Sequence, residues 1–179
     1  MEGSTARRVD HDPRRILWPS VTITLSEVTP ALRAQVMALA PLPEQEPFSG
    51  ASRDTLPAAE LTPGRIGVVA LADGVPFGFL MLDVGADVRV YAPGDGVVGV
   101  RGVYVDAASQ GRGLGIAMLR ALPAFARARY PDATRLALTV NLSNPRAIHV
   151  YLRAGFTDTG RLYYGGRLGP QHVLELALR

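Results

Sequence analysis

The sequence predicts an α/β protein, and three observations carry that expectation. Apolar runs with β-branched alternation recur along the chain, two of them are joined by an Asp-Gly pair, and the second half alternates strand, helix, strand, helix. At 179 residues the chain is long enough for one domain with a sizeable core and too short for two full ones. The expected division is a flexible tail over residues 1–20 and a single domain over residues 21–179.

Taken in order, Val21 to Glu27 alternates β-branched and polar residues and reads as a strand. TPALRAQVMALA follows as a helix, with Thr29 as N-cap and Pro30 at N1. The turn-rich, acidic stretch from Pro41 to Gly64 reads as a surface connection or a substrate-binding loop, with one short helix near Arg53 to Glu60. RIGVVALA and VPFGFLMLDV are two strands split by Asp73-Gly74, a two-residue hairpin signal. Gly85 to Gly96 reads as a loop with a strand extension around Val88 to Tyr91. Beyond it lie a strand from Val97 to Val105, a helix from Gly113 to Arg129, a strand from Arg135 to Val140 and a helix from Asn144 to Ala154. Strands near Thr157 to Tyr163 and His172 to Leu178 complete the set, and the alternation implies parallel pairing at the centre of the sheet. Pro123 falls inside the long helix, where it removes one backbone hydrogen bond and predicts a kink.

Composition removes whole classes of chemistry. The chain has no Cys, so there is no disulfide frame, no thiolate nucleophile and no Cys-based metal site. Its three His (His11, His149, His172) are too widely spaced for a zinc set, and no metal is expected. All 19 basic residues are Arg, and without Lys neither a Schiff base nor a P-loop kinase is available. No apolar run approaches the ~18 residues of a membrane span. The Arg-rich start lacks the apolar segment of a secretory signal, so a cytoplasmic protein is expected.

Charge is unevenly placed. Residues 1–105 hold 9 Arg against 12 acidic residues, and residues 106–179 hold 10 Arg against 4. The second half thus suits an anion or forms a solvated Arg-rich surface; aromatics are not interleaved with the Arg as nucleic-acid stacking would need, so no nucleic acid is expected.

The motif that decides between these is QGRGLG, Gln110 to Gly115, placed where a strand turns into a helix. A helix start carries unpaired N–H groups and the positive end of its dipole, and glycines let phosphate oxygens reach the backbone. The alternative is a tight strand-to-helix turn and nothing more. The dinucleotide fingerprint G-x-G-x-x-G fails, because its sixth position is Ile116 from Gly111 and Met118 from Gly113.

VYVDAASQGRGLGIAML resembles the acetyl-CoA-binding segment of the GCN5-related N-acetyltransferases (GNAT), whose pyrophosphate loop reads Gln/Arg-x-x-Gly-x-Gly/Ala; Gln110, Gly113 and Gly115 match. NLSNPRAIHVYLRAGF is similar to the second signature of that family, an Asn after the next strand, an Asn-x-x-Ala helix start and Tyr-x-x-x-Gly-Phe. The resemblance covers about Val21 to Leu178. It implies a GNAT fold, a central mixed twisted sheet of about seven strands with helices on both faces, and acetyl-CoA as cosubstrate. It further implies that amides from Gln110 through Gly115, including Gly111, Arg112 and Leu114, hold the pyrophosphate, and that the preceding strand splays to free N–H groups near Val103 and Val105. The amide of Val103 would then polarise the thioester carbonyl. Asn141, Asn144 and Ala147 would lie along the pantetheine arm, although Asn144 is equally explained as an N-cap and Asn141 as a turn residue. Tyr151 would be the general acid that protonates departing coenzyme A; the alternative is a ring packed among Ala147, Ile148 and Leu152.

Family members often carry a Glu on the strand before the loop, but aligned on Val105 that position is Gly99 here. Glu46, acting through water, is the base candidate retained, beside Glu44, His149 and His172. With no Cys, an acetyl-cysteine route is closed and direct attack of the amine in a ternary complex is left. PLPEQEPFSGASRDTL also resembles the first-helix loop of bacterial spermidine/spermine-type acetyltransferases, which makes a polyamine the lead among small-molecule amine acceptors; Arg167 and His172 weigh against a polycation. A protein N-terminal or lysine acetyltransferase and a non-catalytic acyl-CoA sensor are the competing readings. A homodimer built on the C-terminal strands is common in the family.

Overall fold

The computed structural model describes residues 21–178; the expected tail over residues 1–20 lies outside the described residues. Seven strands form one sheet in the order β1-β2-β3-β4-β5-β7-β6. They are β1 (Ile23–Glu27), β2 (Arg65–Ala72), β3 (Val75–Asp83), β4 (Val97–Val105), β5 (Arg135–Asn141), β6 (Thr157–Tyr163) and β7 (Gln171–Ala177). The helices are α1 (Pro30–Ala38), α2 (Glu46–Ser49), α3 (Ser52–Glu60), α4 (Ala86–Tyr91), α5 (Leu114–Arg129) and α6 (Pro145–Ala154). Every neighbouring pair is antiparallel except β4 and β5, which are parallel.

Period-two alternation in β2 and β3 sends side chains to two cores. Val68, Ala70, Leu80 and Leu82 meet Met118, Leu119 and Leu122 of α5 on one face, and Val69, Leu71, Phe79 and Met81 meet Val36 of α1 and Leu56 of α3 on the other. Helices therefore cover both faces. The Asp73-Gly74 turn joins β2 and β3 with φ of 48° and 83°, the left-handed pair that a two-residue hairpin requires. α5 runs through Pro123 without ending, because its buried face, Leu119, Leu122 and Ala126, holds both sides of the lost bond to the core. Among the described residues no helix is long and apolar enough to cross a membrane.

Three elements differ from expectation. Residues 86–91 form α4, neither loop nor strand. Val88 and Tyr91, three apart as on one helix face, are buried, while Val90 is 69% exposed. α2 forms a single turn where a loop was expected, and β1 begins at Ile23, two residues late. Thr29 is the N-cap of α1 as expected, yet its side chain makes no capping bond.

α4 explains Gly99. A Cβ there would lie 2.6 Å from Val88 Cγ2 and 2.7 Å from the Tyr91 hydroxyl, so the helix occupies the space that a side chain on this strand position would need. Gly99→Ala overpacks that contact, at a cost of ~1–3 kcal/mol. A thermal melt should show the midpoint lowered by about 2–4 °C for each kcal/mol lost.

Candidate active site

β4 and β5 are paired only from Val97 to Gly99 against Arg135 to Ala137, although β4 continues to Val105 and β5 to Asn141. Past that point the strands part. Gly102 sits at φ 56°, the register to β3 slips between Phe79 and Met81, and a Cβ on Gly102 would meet Met81 Cε at 2.7 Å. This is a β-bulge, which bends β4 away from β5. The Asp106 amide donates to the Phe77 carbonyl of β3 at 2.8 Å. Alternation then turns the amides of Val105 and Val103 to the opposite edge, toward the gap.

A cavity of about 930 Å³ occupies the gap. Val103, Val105, Gln110, Gly111, Gly113, Leu114, Gly115, Asn141, Asn144, Ala147 and Tyr151 all line it, so the two motifs, some thirty residues apart in sequence, meet in space. Arg112 is exposed on the same loop and is not among the lining residues.

The glycine loop leaves β4 through a 3₁₀ turn, Ala107–Ser109. Asp106 fastens it: one carboxylate oxygen accepts from the Ala40 amide at 3.1 Å and the other from the Ala108 amide at 3.2 Å. Gly111 and Gly113 adopt φ of 78° and 75°, which a side chain would disfavour by ~1–2 kcal/mol each. Among the described residues, no amide from Gly111 to Ile116 donates to a backbone carbonyl; the first to do so is Ala117, to Gly113 at 3.2 Å. Free donors and the α5 dipole thus converge on one spot, the arrangement that binds a phosphate. The Gln110 side chain is held within the loop by donating to the Val105 carbonyl at 2.9 Å and to Gln45 Oε1 at 2.7 Å.

Asn141 is 6% exposed, and its Oδ1 is buried without a hydrogen-bond partner. A buried acceptor left unmade costs ~1–3 kcal/mol, so this atom calls for a donor from whatever fills the cavity. Asn144, by contrast, spends its Oδ1 on the Ala147 amide at 3.1 Å as the N-cap of α6, with Pro145 at N1. Gly155 closes α6 in the left-handed conformation at φ 108°. Tyr151 lines the cavity with its ring edge-on to Phe156, the centroids 5.8 Å apart. Burial pushes its phenol well above the usual tyrosine range.

The base candidates fare differently. The Glu46 carboxylate is paired with Arg53, and Glu46 is not among the residues lining the cavity. Glu44, His149 and His172 do not line it either; His172 Nδ1 lies 2.9 Å from Asp158. Sequence reasoning missed Asp87, the single carboxylate of the lining, because Gly85 to Gly96 read as a connection. Asp87 Oδ2 lies 3.3 Å from Arg65 and 3.5 Å from Arg101. Behind it Asp83, 1% exposed, accepts two bonds from Arg65 at 3.0 and 2.7 Å and one from the Gly85 amide at 2.8 Å. Among the described residues no group of three or more His, Asp or Glu could hold a metal ion.

Known proteins share this fold and part of this sequence. The Acetyltransferase (GNAT) family model matches residues 33–156. YbbJ of Bacillus subtilis (strain 168), named an uncharacterized N-acetyltransferase, is 28% identical over 154 residues, 86% of this chain and 96% of its own. Among solved structures, the aminoglycoside acetyltransferase AAC(6')-Ib with coenzyme A and kanamycin superposes with a TM-score of 0.66 at 23% identity, over 87% of this chain and 95% of that one. The spermidine N-acetyltransferase of Vibrio cholerae with coenzyme A and spermine gives 0.65 at 14% identity, over 87% and 95%.

Tyr91 lines the cavity and is 8% exposed. Its loss of solvent, outweighing the nearby Arg101, raises the phenol from 10.0 to about 12. A raised folded value means stability is intact below pH 10 and is lost as the pH rises from 10 toward 12. Denaturant titrations at pH 9 and pH 11 should show the wild type losing ~1 kcal/mol that Tyr91→Phe keeps.

Proposed function

The chain belongs to the GNAT acetyltransferase family, and on that premise we propose that it transfers the acetyl group of acetyl-CoA to the primary amine of a small molecule, by direct attack in a ternary complex. The observation that carries this reading is the convergence on one cavity of unbonded amides from Gly111 to Ile116, an unpartnered Asn141 Oδ1 and the Tyr151 phenol. Two of the solved relatives hold amines, kanamycin and spermine, which supports the acceptor class.

The residues present fit acetyl-CoA. When bound, it supplies an activated thioester, and the remaining work falls to the chain. The amides from Gly111 to Ile116 donate to the pyrophosphate oxygens at the positive end of α5. Asn141 Oδ1 accepts from an amide N–H of the pantetheine arm, while Asn144 holds the α6 terminus in place with Ala147 beside the arm. The Val105 amide faces the same arm from the free edge of β4. The Val103 amide, on that edge too, donates to the thioester carbonyl oxygen, where negative charge grows during attack. Tyr151, protonated throughout the neutral range, delivers its proton to the departing sulfur. The acetyl group has no cysteine to visit on the way.

With Glu46 paired to Arg53 and outside the lining, no side chain is assigned as base, and the amine must arrive with its proton already lost to water. The rate should therefore follow the free-amine fraction of the acceptor, rising with pH until the acceptor's own pKa is passed. Because Tyr151 is shifted upward, no alkaline fall should intrude before pH 10 in a kcat/KM profile.

Tyr151→Phe should lower kcat by about 10²-fold or more while the dissociation constant for acetyl-CoA stays nearly the same. Coenzyme A release followed with a thiol reagent, paired with calorimetric titration, reads both quantities, and the protein adds no thiol of its own. An unchanged kcat would remove Tyr151 from the mechanism.

A further inference from the structure

Among the described residues the cavity is lined by Arg65, Arg101 and Arg167, besides Arg146 bonded to Gln110 of the glycine loop, against one carboxylate, Asp87. Their commitments differ. Arg65 is spent, its side chain 14% exposed and its Nε and Nη2 both bonded to Asp83. Arg101 touches Asp83 and Asp87 through Nη1 alone, at 3.4 and 3.5 Å, with 38% of its side chain exposed. Its Nε and Nη2, the edge of the guanidinium that grips a carboxylate with two parallel bonds, have no partner among the described residues. Arg167 makes no hydrogen bond or ion pair among the described residues.

A polyamine would thus meet a single carboxylate already held between two guanidinium groups, whereas an anion would meet two guanidiniums with free donors. Apolar surface adjoins them. Phe48, Val90 and Leu168 line the same cavity while 39%, 69% and 43% exposed, as do the rings of the Tyr91–Tyr163 pair, 5.8 Å apart. Exposed apolar side chains grouped around a cavity are the expected wall for an apolar ligand body.

We propose that the acceptor is a primary amine that also bears a carboxylate and an apolar body, the chemistry of an apolar amino acid, with the carboxylate seated on Arg101 and Arg167. The proposal rests on the acetyltransferase reading and narrows its acceptor. The transfer balances without a further reactant: the amine nitrogen bonds to the acetyl carbon, the carbon–sulfur bond breaks, the sulfur takes a proton and the amine gives one up.

The test compares phenylalanine and leucine, their methyl esters and spermidine as acceptors with acetyl-CoA. The ester lacks the anion, and because esterification also lowers the pKa of the amine, every kcat/KM is expressed per free amine from the acceptor's own titration. A charge-assisted pair implies kcat/KM for the free acids about 10-fold or more above the esters. Arg167→Gln, which removes no hydrogen bond or ion pair among the described residues, should reduce that acid-over-ester ratio about tenfold, and Arg101→Gln should act in the same direction. Esters or spermidine used as well as the acids would overturn the proposal, as would a ratio unmoved by Arg167→Gln, or no turnover of any free acid. A melting shift with acetyl-CoA, measured on each variant, separates the two levels. If the shift is present and the acids fail, the acceptor assignment falls alone; if it is absent from the wild type, the acetyltransferase reading falls with it.

Discussion

The site exists because β4 and β5 stay paired for three residues and then part. A parallel pair normally continues as far as both strands run, since unpaired backbone donors inside a protein are costly. Here the bulge at Gly102 bends β4, and the Asp106 bond to Phe77 holds its far end against β3. The edge facing β5 is left with donors and no strand to receive them. A cleft lined by free backbone amides is a ready seat for an extended, amide-bearing ligand, so the sheet defect and the function are one feature.

The other parts of the molecule serve that opening. Asp106 ties the glycine loop to the end of α1, and the buried Ser52 hydroxyl, donating to the Val36 carbonyl with the Leu39 carbonyl 3.1 Å away, ties α3 to the same helix end. Tyr104 joins both, receiving the Ser52 amide and donating to the Leu39 carbonyl at 3.1 Å. Loop, first helix and acceptor wall are thereby held to β4 as one body. Asp83 does the same for the arginines: removing a buried carboxylate that holds Arg65 in place would cost ~3–5 kcal/mol. The donors that line the cavity also differ, backbone N–H at the glycine loop and guanidinium at Arg101 and Arg167.

Much of this was legible in the sequence because it is written locally. Strong apolar periodicity placed β2 to β5 and α5 within a residue or two, and Asn144, Pro145 and Gly155 marked both ends of α6. The glycine loop could be read because positive φ and a helix start leave a glycine pattern of their own. What escaped depends on long-range packing. α4 is helical because Val88 and Tyr91 fit over Gly99, a partner that local alternation does not reveal. Glu46 looked available in an acidic loop, yet Arg53, seven residues on, claims its carboxylate. Arg101 and Arg167 lie 66 residues apart in sequence and come together only as lining of one cavity.

In the proposed reaction everything depends on the amides of the glycine loop and of the β4 edge receiving the coenzyme. Amide chemical shifts and exchange rates, recorded with and without acetyl-CoA on uniformly labelled protein, test it most directly. Gly111 through Ile116, with Val103 and Val105, should shift and gain protection when acetyl-CoA is saturating. Saturating acetyl-CoA that leaves those amides unmoved while perturbing others would contradict it.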